Sequence, residues 1–582
     1  ELRGIRELSG LDGAVRKLEE RGFLSINKRT IRRDPSAGVV PRLMEHTPNV
    51  EQRKAIDSIT KSIGSGYSPF LLFGVTGSGK TLVYIRAIED ALKKGRRALL
   101  LVPEIALTHR MAAYLLEHFK GRVAVLHSAL SDGERSDEWR RILEGKVDVV
   151  VGARSALFSP IKNLGLIIVD EEHDSSYSQD EGIRYNARDA ALMLANMLGI
   201  TIVLGTATPA LETFHNVKLG RIALLKMEER VGGATMPEVE LLDMRRNKGV
   251  VISERLASLM EITISDGGQV LLFLNRRGYS SFIICRSCGE AVKCVNCDLT
   301  LTMHKRAGRL KCHYCDFELS IPDECSECGA LDMVDPGIGT EKVEEEVRAL
   351  LPKARVARLD RDSTRKKGTL AKVIEAVEVG DVDVLIGTQM VTKGHHFPSM
   401  RLVGVISGDT SLNMPDFRSS ERTFQLIAQA SGRAGRSGSA EAAKSRVVVQ
   451  TFNPEHFCLT RAAKYDYEGF FDEEMAIRKE VGYPPVIRLA SIRIESINDN
   501  LAFRAAEALR KVVPTDTKGL SVLGPAPALV ARLRGKYRYQ ILVKATDVKV
   551  LHRTLFTLRH FFNGGNFTKV SMRIDVDPAS TL

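Results

Sequence analysis

Phe70-Leu71-Leu72-Phe73-Gly74-Val75-Thr76-Gly77-Ser78-Gly79-Lys80-Thr81 joins a short apolar run to a glycine-rich loop that ends in Lys-Thr. A continuous apolar run of this length predicts a strand buried on both faces, and the residues from about Thr81 predict a helix. Strand, loop and helix in that order are the setting a phosphate loop requires. Gly74, Val75, Thr76, Gly77, Ser78 and Gly79 then supply a nest of backbone N–H groups for phosphate oxygens. Lys80 is expected to reach the β- and γ-phosphates of ATP, and the Thr81 hydroxyl to hold Mg²⁺.

Outward from this loop the pattern repeats. Pro69–Phe73, Ala98–Val102, Val147–Val151, Gly165–Val169 and Thr201–Leu204 are apolar runs separated by helical stretches. Such alternation predicts a parallel sheet covered on both faces over residues 46–230. It restarts at Gln269–Asn275 and continues through Val356–Leu359, Val382–Ile386, Leu402–Ile406 and Val447–Gln450. A second α/β lobe is therefore expected over 231–280 and 339–455. Beyond residue 456, Arg488–Ile494, Tyr537–Lys544 and Ser571–Val576 read as strands of a small α+β domain. In residues 1–45, Leu8, Leu11, Val15 and Leu18 recur at near-helical spacing, Arg21-Gly22 stops the helix, and Phe23-Leu24-Ser25-Ile26 looks extended. A helical module with a β-wing and a three-helix cap both fit.

Several motifs sit at predicted strand ends, where ligands of open α/β sheets collect. Asp170-Glu171-Glu172-His173 follows Leu166–Val169. Asp170 is expected to bind Mg²⁺, and Glu171 to orient and activate the attacking water. Gly205-Thr206-Ala207-Thr208-Pro209 could sense the γ-phosphate or link the two sites. In the second lobe, Gln429-Ala430-Ser431-Gly432-Arg433-Ala434-Gly435-Arg436 places two arginines, Arg433 and Arg436, one helical turn apart. Facing the γ-phosphate, they would act as arginine fingers. Thr388, Gln389, Thr392 and Lys393 suit contacts to a nucleic-acid backbone. Tyr177, Gln179, Arg184, Tyr185 and Arg188 interleave aromatic and cationic groups, which suits base stacking; tyrosines packed on their own loop fit equally.

Four Cys-x-x-Cys pairs, Cys285/Cys288, Cys294/Cys297, Cys312/Cys315 and Cys325/Cys328, interrupt the second lobe over 281–338. Each pair delivers two thiolates to one metal, so eight make two closed Cys₄ zinc sites of a structural kind. Sequential and nested pairings both satisfy the spacing. His304 and His313 are superfluous as ligands. Cys458 reads as a small buried apolar residue. Arg286, Lys293, Lys305, Arg306, Arg309 and Lys311 make the module basic.

The whole chain has 582 residues, 44% apolar content, a net charge of +12 and a pI near 9.2. A basic balance fits a polyanionic partner as well as a plain solvated surface. No run of about 18 apolar residues exists, and no secretory leader opens at Glu1. The expectation is a cytoplasmic protein that does not enter a membrane.

The phosphate loop, Asp-Glu-Glu-His, Gly-Thr-Ala-Thr-Pro and Gln…Gly-Arg-Ala-Gly-Arg occur in the order of the superfamily 2 helicases. The closer resemblance is to the primosomal, replication-restart branch. It is carried by Asp170–Gln179, Phe273-Leu274-Asn275-Arg276-Arg277-Gly278-Tyr279, the eight paired cysteines, Gly387–Pro398 with Thr392-Lys393-Gly394-His395-His396-Phe397, and Pro415-Asp416-Phe417-Arg418. That resemblance implies two RecA-like lobes, a winged-helix domain in residues 1–45, and an ATP-dependent 3′→5′ DNA helicase that restarts stalled forks. It implies nested zinc ligation: Cys285, Cys288, Cys325 and Cys328 on one ion, and Cys294, Cys297, Cys312 and Cys315 on the other. It assigns Gln52 to the adenine of ATP. The implied partners are forked and single-stranded DNA, single-stranded-DNA-binding protein and helicase-loading primosome proteins. The family's domain that captures a 3′ end has no counterpart in residues 1–582.

Overall fold

The structure is a computed structural model that describes residues 17–23, 25, 47–103, 109–128, 130–233, 235–247, 250–274, 282–304, 308–335, 339–360, 369–388, 397, 399–434, 445–514 and 517–581. Most of the winged-helix-like segment lies outside these; residues 17–20 are helical and Gly22, at φ +75°, ends the turn.

Lobe 1 contains β1 (Ser68–Gly74), β2 (Arg97–Leu101), β3 (Val123–Leu126), β4 (Val149–Gly152), β5 (Leu164–Asp170), β6 (Thr201–Thr206) and β7 (Ala223–Met227). They form one parallel sheet in the order β3-β4-β2-β5-β6-β1-β7. Helices on both faces account for the almost unbroken burial of the inner strands. Lobe 2 opens with β8 (Glu238–Asp243) and β9 (Gln269–Phe273). The cysteine module adds the short β10 (Ile284–Cys285), β11 (Thr302–His304), β12 (Arg309–Lys311), β13 (Glu318–Ser320) and β14 (Met333–Val334). Lobe 2 resumes with β15 (Val356–Leu359), β16 (Val384–Gly387), β17 (Met400–Val405) and β18 (Arg446–Thr451). Its sheet is also parallel, ordered β15-β16-β9-β17-β18-β8. The edge strands β7 and β8 are less buried than the inner strands of their sheets.

The last domain is a four-stranded antiparallel sheet of β19 (Arg488–Ser496), β20 (Leu520–Leu533), β21 (Lys536–Ala545) and β22 (Val570–Val576), ordered β20-β21-β19-β22. Its apolar face, with Ile492, Ile494, Ile541 and Val543, buries the helices Asp499–Val512 and Val548–Gly564.

The helices Phe457–Ala463 and Tyr467–Val481, which the sequence groups with this last domain, pack elsewhere. They lie in a core shared by both lobes. Phe73 and Phe214 from lobe 1, Phe424 from lobe 2, and Tyr467, Phe470 and Phe471 stack within 4.5–6.3 Å of one another in successive pairs. Nearby, Arg478 is 1% exposed and donates to Glu474, Glu421, Phe417 O and Pro484 O. A guanidinium can be buried this deeply only because carboxylates and carbonyls meet its N–H groups. No helix among the described residues is long and apolar enough to cross a membrane.

Candidate functional site

The phosphate loop leaves β1 and ends at the helix Lys80–Lys93. Gly77 and Gly79 take φ values of +87° and +81°, which only glycine adopts without strain and which curl the backbone into a concave nest. Lys80 Nζ donates to Gly74 O at 2.8 Å, so the amine folds back over the loop it would share with a phosphate. Thr81 is the second residue of that helix.

Gln52 braces the loop. The helix Val50–Ser62 starts with a capping box in which Asn49 and Gln52 each accept from the other's backbone N–H. The Gln52 Nε2 donates to Ser78 O at 2.7 Å, and the side chain is 2% exposed. A Cβ at Gly79 would lie 2.4 Å from that nitrogen. Gln52 therefore holds the loop's shape, a role its motif does not announce.

Two strands along the sheet, Asp170 closes β5 and Glu171 follows with φ +46°, a left-handed conformation unusual for a residue with a side chain. Strain of this kind collects at functional sites. Tyr84 OH donates to Asp170 Oδ1 at 2.8 Å, and Tyr177 OH to the Asp170 carbonyl at 2.6 Å. Burial, reinforced by the Glu171 charge, pushes the Asp170 carboxyl up to about 6, with Lys80 pulling the other way. A divalent cation would restore the ionised form, so this donor set suits Mg²⁺ held by Asp170 and Thr81. Gly205 on β6 sits beneath the Tyr84 ring; a Cβ there would stand 1.7 Å from the phenol oxygen. Sequence reasoning missed Tyr84. Its signal is an aromatic one turn into the loop's helix, opposite a glycine at a strand end.

This geometry makes a prediction. Gly205→Ala must expel the Tyr84 ring and cost about 1–3 kcal/mol by overpacking. Asp170 loses its donor at the same time. A lower denaturant midpoint together with reduced ATPase is expected, while Tyr84→Phe alone reduces ATPase with little loss of stability.

Lobe 2 closes over the loop. The helix Ser419–Ser431 ends at Gly432, and a Cβ there would be 2.6–2.7 Å from the Thr76 side chain. Only glycine lets this helix end touch the phosphate loop, and Arg433 is the next residue. Arg436 lies outside the described residues, as do Gln389, Thr392 and Lys393. A second junction joins the motifs. Gln429 Nε2 donates to His173 Nε2 at 2.6 Å, His173 Nδ1 meets Thr206 Oγ1 at 2.7 Å, and Thr208 N donates to that same oxygen. Glu172 accepts from Ala210 N, Thr213 Oγ1 and Arg188. Across the lobes, Arg418 pairs with Glu212 at 2.5 Å, and Glu421 accepts from Leu211 N.

The tyrosine-rich loop is committed internally. Tyr177 is fully buried, Tyr185 packs edge-on to Phe158, Arg188 pairs with Glu172, and Arg184 pairs with Asp575 of the last domain. Tyr177 thus anchors Asp170 and cannot stack on a base. Thr388 N bonds Leu359 O.

The cysteines separate into Cys285, Cys288, Cys325, Cys328 and Cys294, Cys297, Cys312, Cys315, with the sulfurs of each set within 4.8 Å of one another. The pairing is nested. Sγ···Sγ distances of 3.6 Å across Cys285/Cys328, Cys288/Cys325 and Cys294/Cys315 are far beyond a disulfide's roughly 2.05 Å. They match the spacing of about 3.8 Å between thiolates at tetrahedral corners around zinc with Zn–S near 2.3 Å. His304 and His313 face each other at 3.3 Å outside both sets. The module's described cations are spoken for: Arg286 by Asp332, Lys293 by Glu290, and Arg309 and Lys311 by Glu318. Lys305 and Arg306 lie outside the described residues. Cys458 is buried and donates to Ser420 O.

Family models match in three places: a DEAD/DEAH box helicase over residues 49–217, a PriA DNA helicase Cys-rich region domain over 294–319, and a Primosomal protein N C-terminal domain over 479–579. The chain is 42% identical over 577 residues to a replication restart protein PriA of Bacillus subtilis, covering 97% of this chain and 71% of that one. It is 41% identical to the one of Treponema pallidum, covering 95% and 83%, and 39% identical to the one of Haemophilus influenzae, covering 88% and 70%.

Proposed function

The chain belongs to the PriA family of replication restart proteins, ATP-dependent DNA helicases, and from that membership we propose that it unwinds forked DNA in the 3′→5′ direction and promotes loading of the replicative helicase. The observation that best supports a working motor is the contact of Gly432 with Thr76, which sets Arg433 beside the phosphate loop from the opposite lobe. In this reading ATP sits on the loop, with Lys80 on its phosphates and Gln52 behind the loop or at the adenine edge. Glu171 orients water for in-line attack, and Arg433 with Arg436 stabilises charge on the transferred phosphoryl group. Mg²⁺ on Thr81 and Asp170 would neutralise phosphate charge. His173, bonded to both Thr206 and Gln429, relays the state of the site from one lobe to the other.

Two zinc ions in the nested Cys₄ sets complete the fold of the insertion. Its place against lobe 2 and the last domain fits a part that meets DNA or protein at the fork. Single-stranded-DNA-binding protein and helicase-loading primosome proteins are the proposed partners, and the cytoplasm the proposed location. Residues 1–45 form the proposed winged-helix domain.

The test is strand separation on a synthetic fork. ATP-dependent release of the strand is expected with single-stranded DNA stimulating ATPase and single-stranded RNA stimulating it far less. Equal stimulation by both would point to a translocase blind to the sugar.

A further inference from the structure

The helix Ser419–Ser431 carries Gln429 and leads into Arg433, yet its N-terminus has no side-chain cap at Arg418. Asp416 holds that end from just outside the helix. Its carboxylate is fully buried and accepts from Arg418 N at 3.0 Å, Arg422 Nη1 at 3.0 Å, Ser580 Oγ at 2.8 Å and Thr581 N at 3.3 Å. Burial pushes such a carboxyl up, but the Arg422 guanidinium and the hydrogen-bond donors more than offset it. Asp416 therefore lies below the usual carboxylate range. A negative charge at this place also complements the positive end of the helix dipole.

Ser580 and Thr581 reach Asp416 from the last domain. Residues 578–581 leave β22 and form neither helix nor strand, yet Pro578 and Thr581 are buried. An irregular segment is buried only where partners meet its polar groups, and here the motor helix supplies them. Arg422 donates to Ala579 O, and Arg418 Nε to Pro578 O at 3.4 Å. The Thr581 hydroxyl bonds Tyr314 OH, between Cys312 and Cys315 of the cysteine module. One short strap thus touches the helix and the cysteine module, and β22 ties it to the last sheet through β19. The 13-residue helix is a rod of about 20 Å, so a position fixed at Asp416 is carried to Gln429 and Gly432. The far end has no slack, because Gly432 meets Thr76 without room for a Cβ.

We propose that Asp416 is a positioning residue of the motor, and that the strap 578–581 uses it to set the register of the helix that presents Arg433. Ser580 and Thr581 hold Asp416 from the last domain, and Tyr314 holds Thr581 from the cysteine module. Placement of the arginine at the nucleotide is thereby tied to both of these parts. The proposal rests on the reading of Arg433 as an arginine that stabilises the transition state. A register of this kind acts on turnover and leaves ground-state binding of ATP alone.

Steady-state ATPase of the full chain at saturating single-stranded DNA tests it, with a circular-dichroism melt to verify folding. Ser580→Ala/Thr581→Val removes two hydroxyls and no charge. It is expected to lower kcat at least about fivefold, since a small misplacement of a reacting group is costly, and to keep KM for ATP within about twofold. Thr581→Ser keeps the hydroxyl and is expected to match the wild type. Asp416→Asn, of the same shape, is expected to lower kcat further with KM again kept. In an Arg433→Ala background the double variant is expected to cost less than about twofold, because the group it positions is gone. A lower melting temperature with kcat kept means scaffolding only and overturns the proposal. So does an equal fold loss with and without Arg433, or a change in KM alone. Arg433→Ala with normal turnover defeats the arginine reading and this proposal with it; a slow Arg433→Ala beside silent strap and Asp416 variants defeats the strap alone.

Discussion

Lys80→Ala is expected to abolish DNA-stimulated ATP hydrolysis while fork binding persists. The amine is the cation nearest the end of the glycine nest, and in the free protein it is parked on Gly74 O, inside the loop. Its move from carbonyl to phosphate is a short swing of one side chain. Without it, charge on the transferred group would be met by backbone dipoles, the proposed Mg²⁺ and the proposed lobe 2 arginines. Loss of one preorganised contact of this kind costs about 10²–10³ in turnover. The loop itself should hold, since Gln52 supports it through Ser78 O and the positive-φ glycines are untouched. Coupled phosphate-release assays with and without single-stranded DNA measure the loss, and fork anisotropy measures what remains. Normal turnover by the variant would defeat the assignment of the site.

Removal of zinc should have the second large effect. Elemental analysis is expected to find about two zinc ions per chain, since eight thiolates fill two tetrahedral sites. Structural zinc contributes about 10–16 kcal/mol to the folding of small peptide modules at neutral pH, more than this segment's few short strands can replace. The damage will not stop at residue 338. Cys294, Cys297 and Cys312 share a hydrophobic cluster with Leu310 and Tyr314 from the module, Phe417 from lobe 2, and Tyr483, Leu489 and Leu542 beyond it. Tyr314 OH also bonds Thr581, and His313 bonds Pro527 O. Cys312→Ser, or chelation, should therefore expose β20 and β21 to protease along with the module. The lobes, with cores of their own, should keep basal ATPase. A single zinc per chain, or protection of the last domain after chelation, would contradict this.

The two parallel lobes were legible because their central strands are short apolar runs punctuated by glycine loops, and parallel sheets demand that composition. β3, β7, β8 and β20 were not among the strands read from sequence. β3 is only four residues long, Lys226 breaks the apolar run of β7, glutamates and an aspartate break that of β8, and Gly524-Pro525 and Pro527 interrupt the pattern of β20. The nested set of cysteines was invisible to spacing, which allows two pairings, and needed Sγ distances. Lys80 and Asp170 belong to local motifs and stand out in any reading. Tyr84 belongs to none, and the motifs that hold Gly205 and Gly432 do not show what these glycines are for: each matters through a partner far along the chain, and a Cβ too close to that partner is a fact of three dimensions. The buried Tyr177 shows the reverse case, where a residue of inviting chemistry in sequence turns out to be scaffolding.

The aromatic stack of Phe73, Phe214, Phe424, Tyr467, Phe470 and Phe471 has a mechanical consequence. Two halves bound by one greased knot cannot part like the jaws of a trap without exposing it to solvent. They can roll. A motor working as proposed would then turn its lobes about this axle of rings, with the proposed nucleotide site at a short radius and the far rims of the lobes sweeping the longer arc.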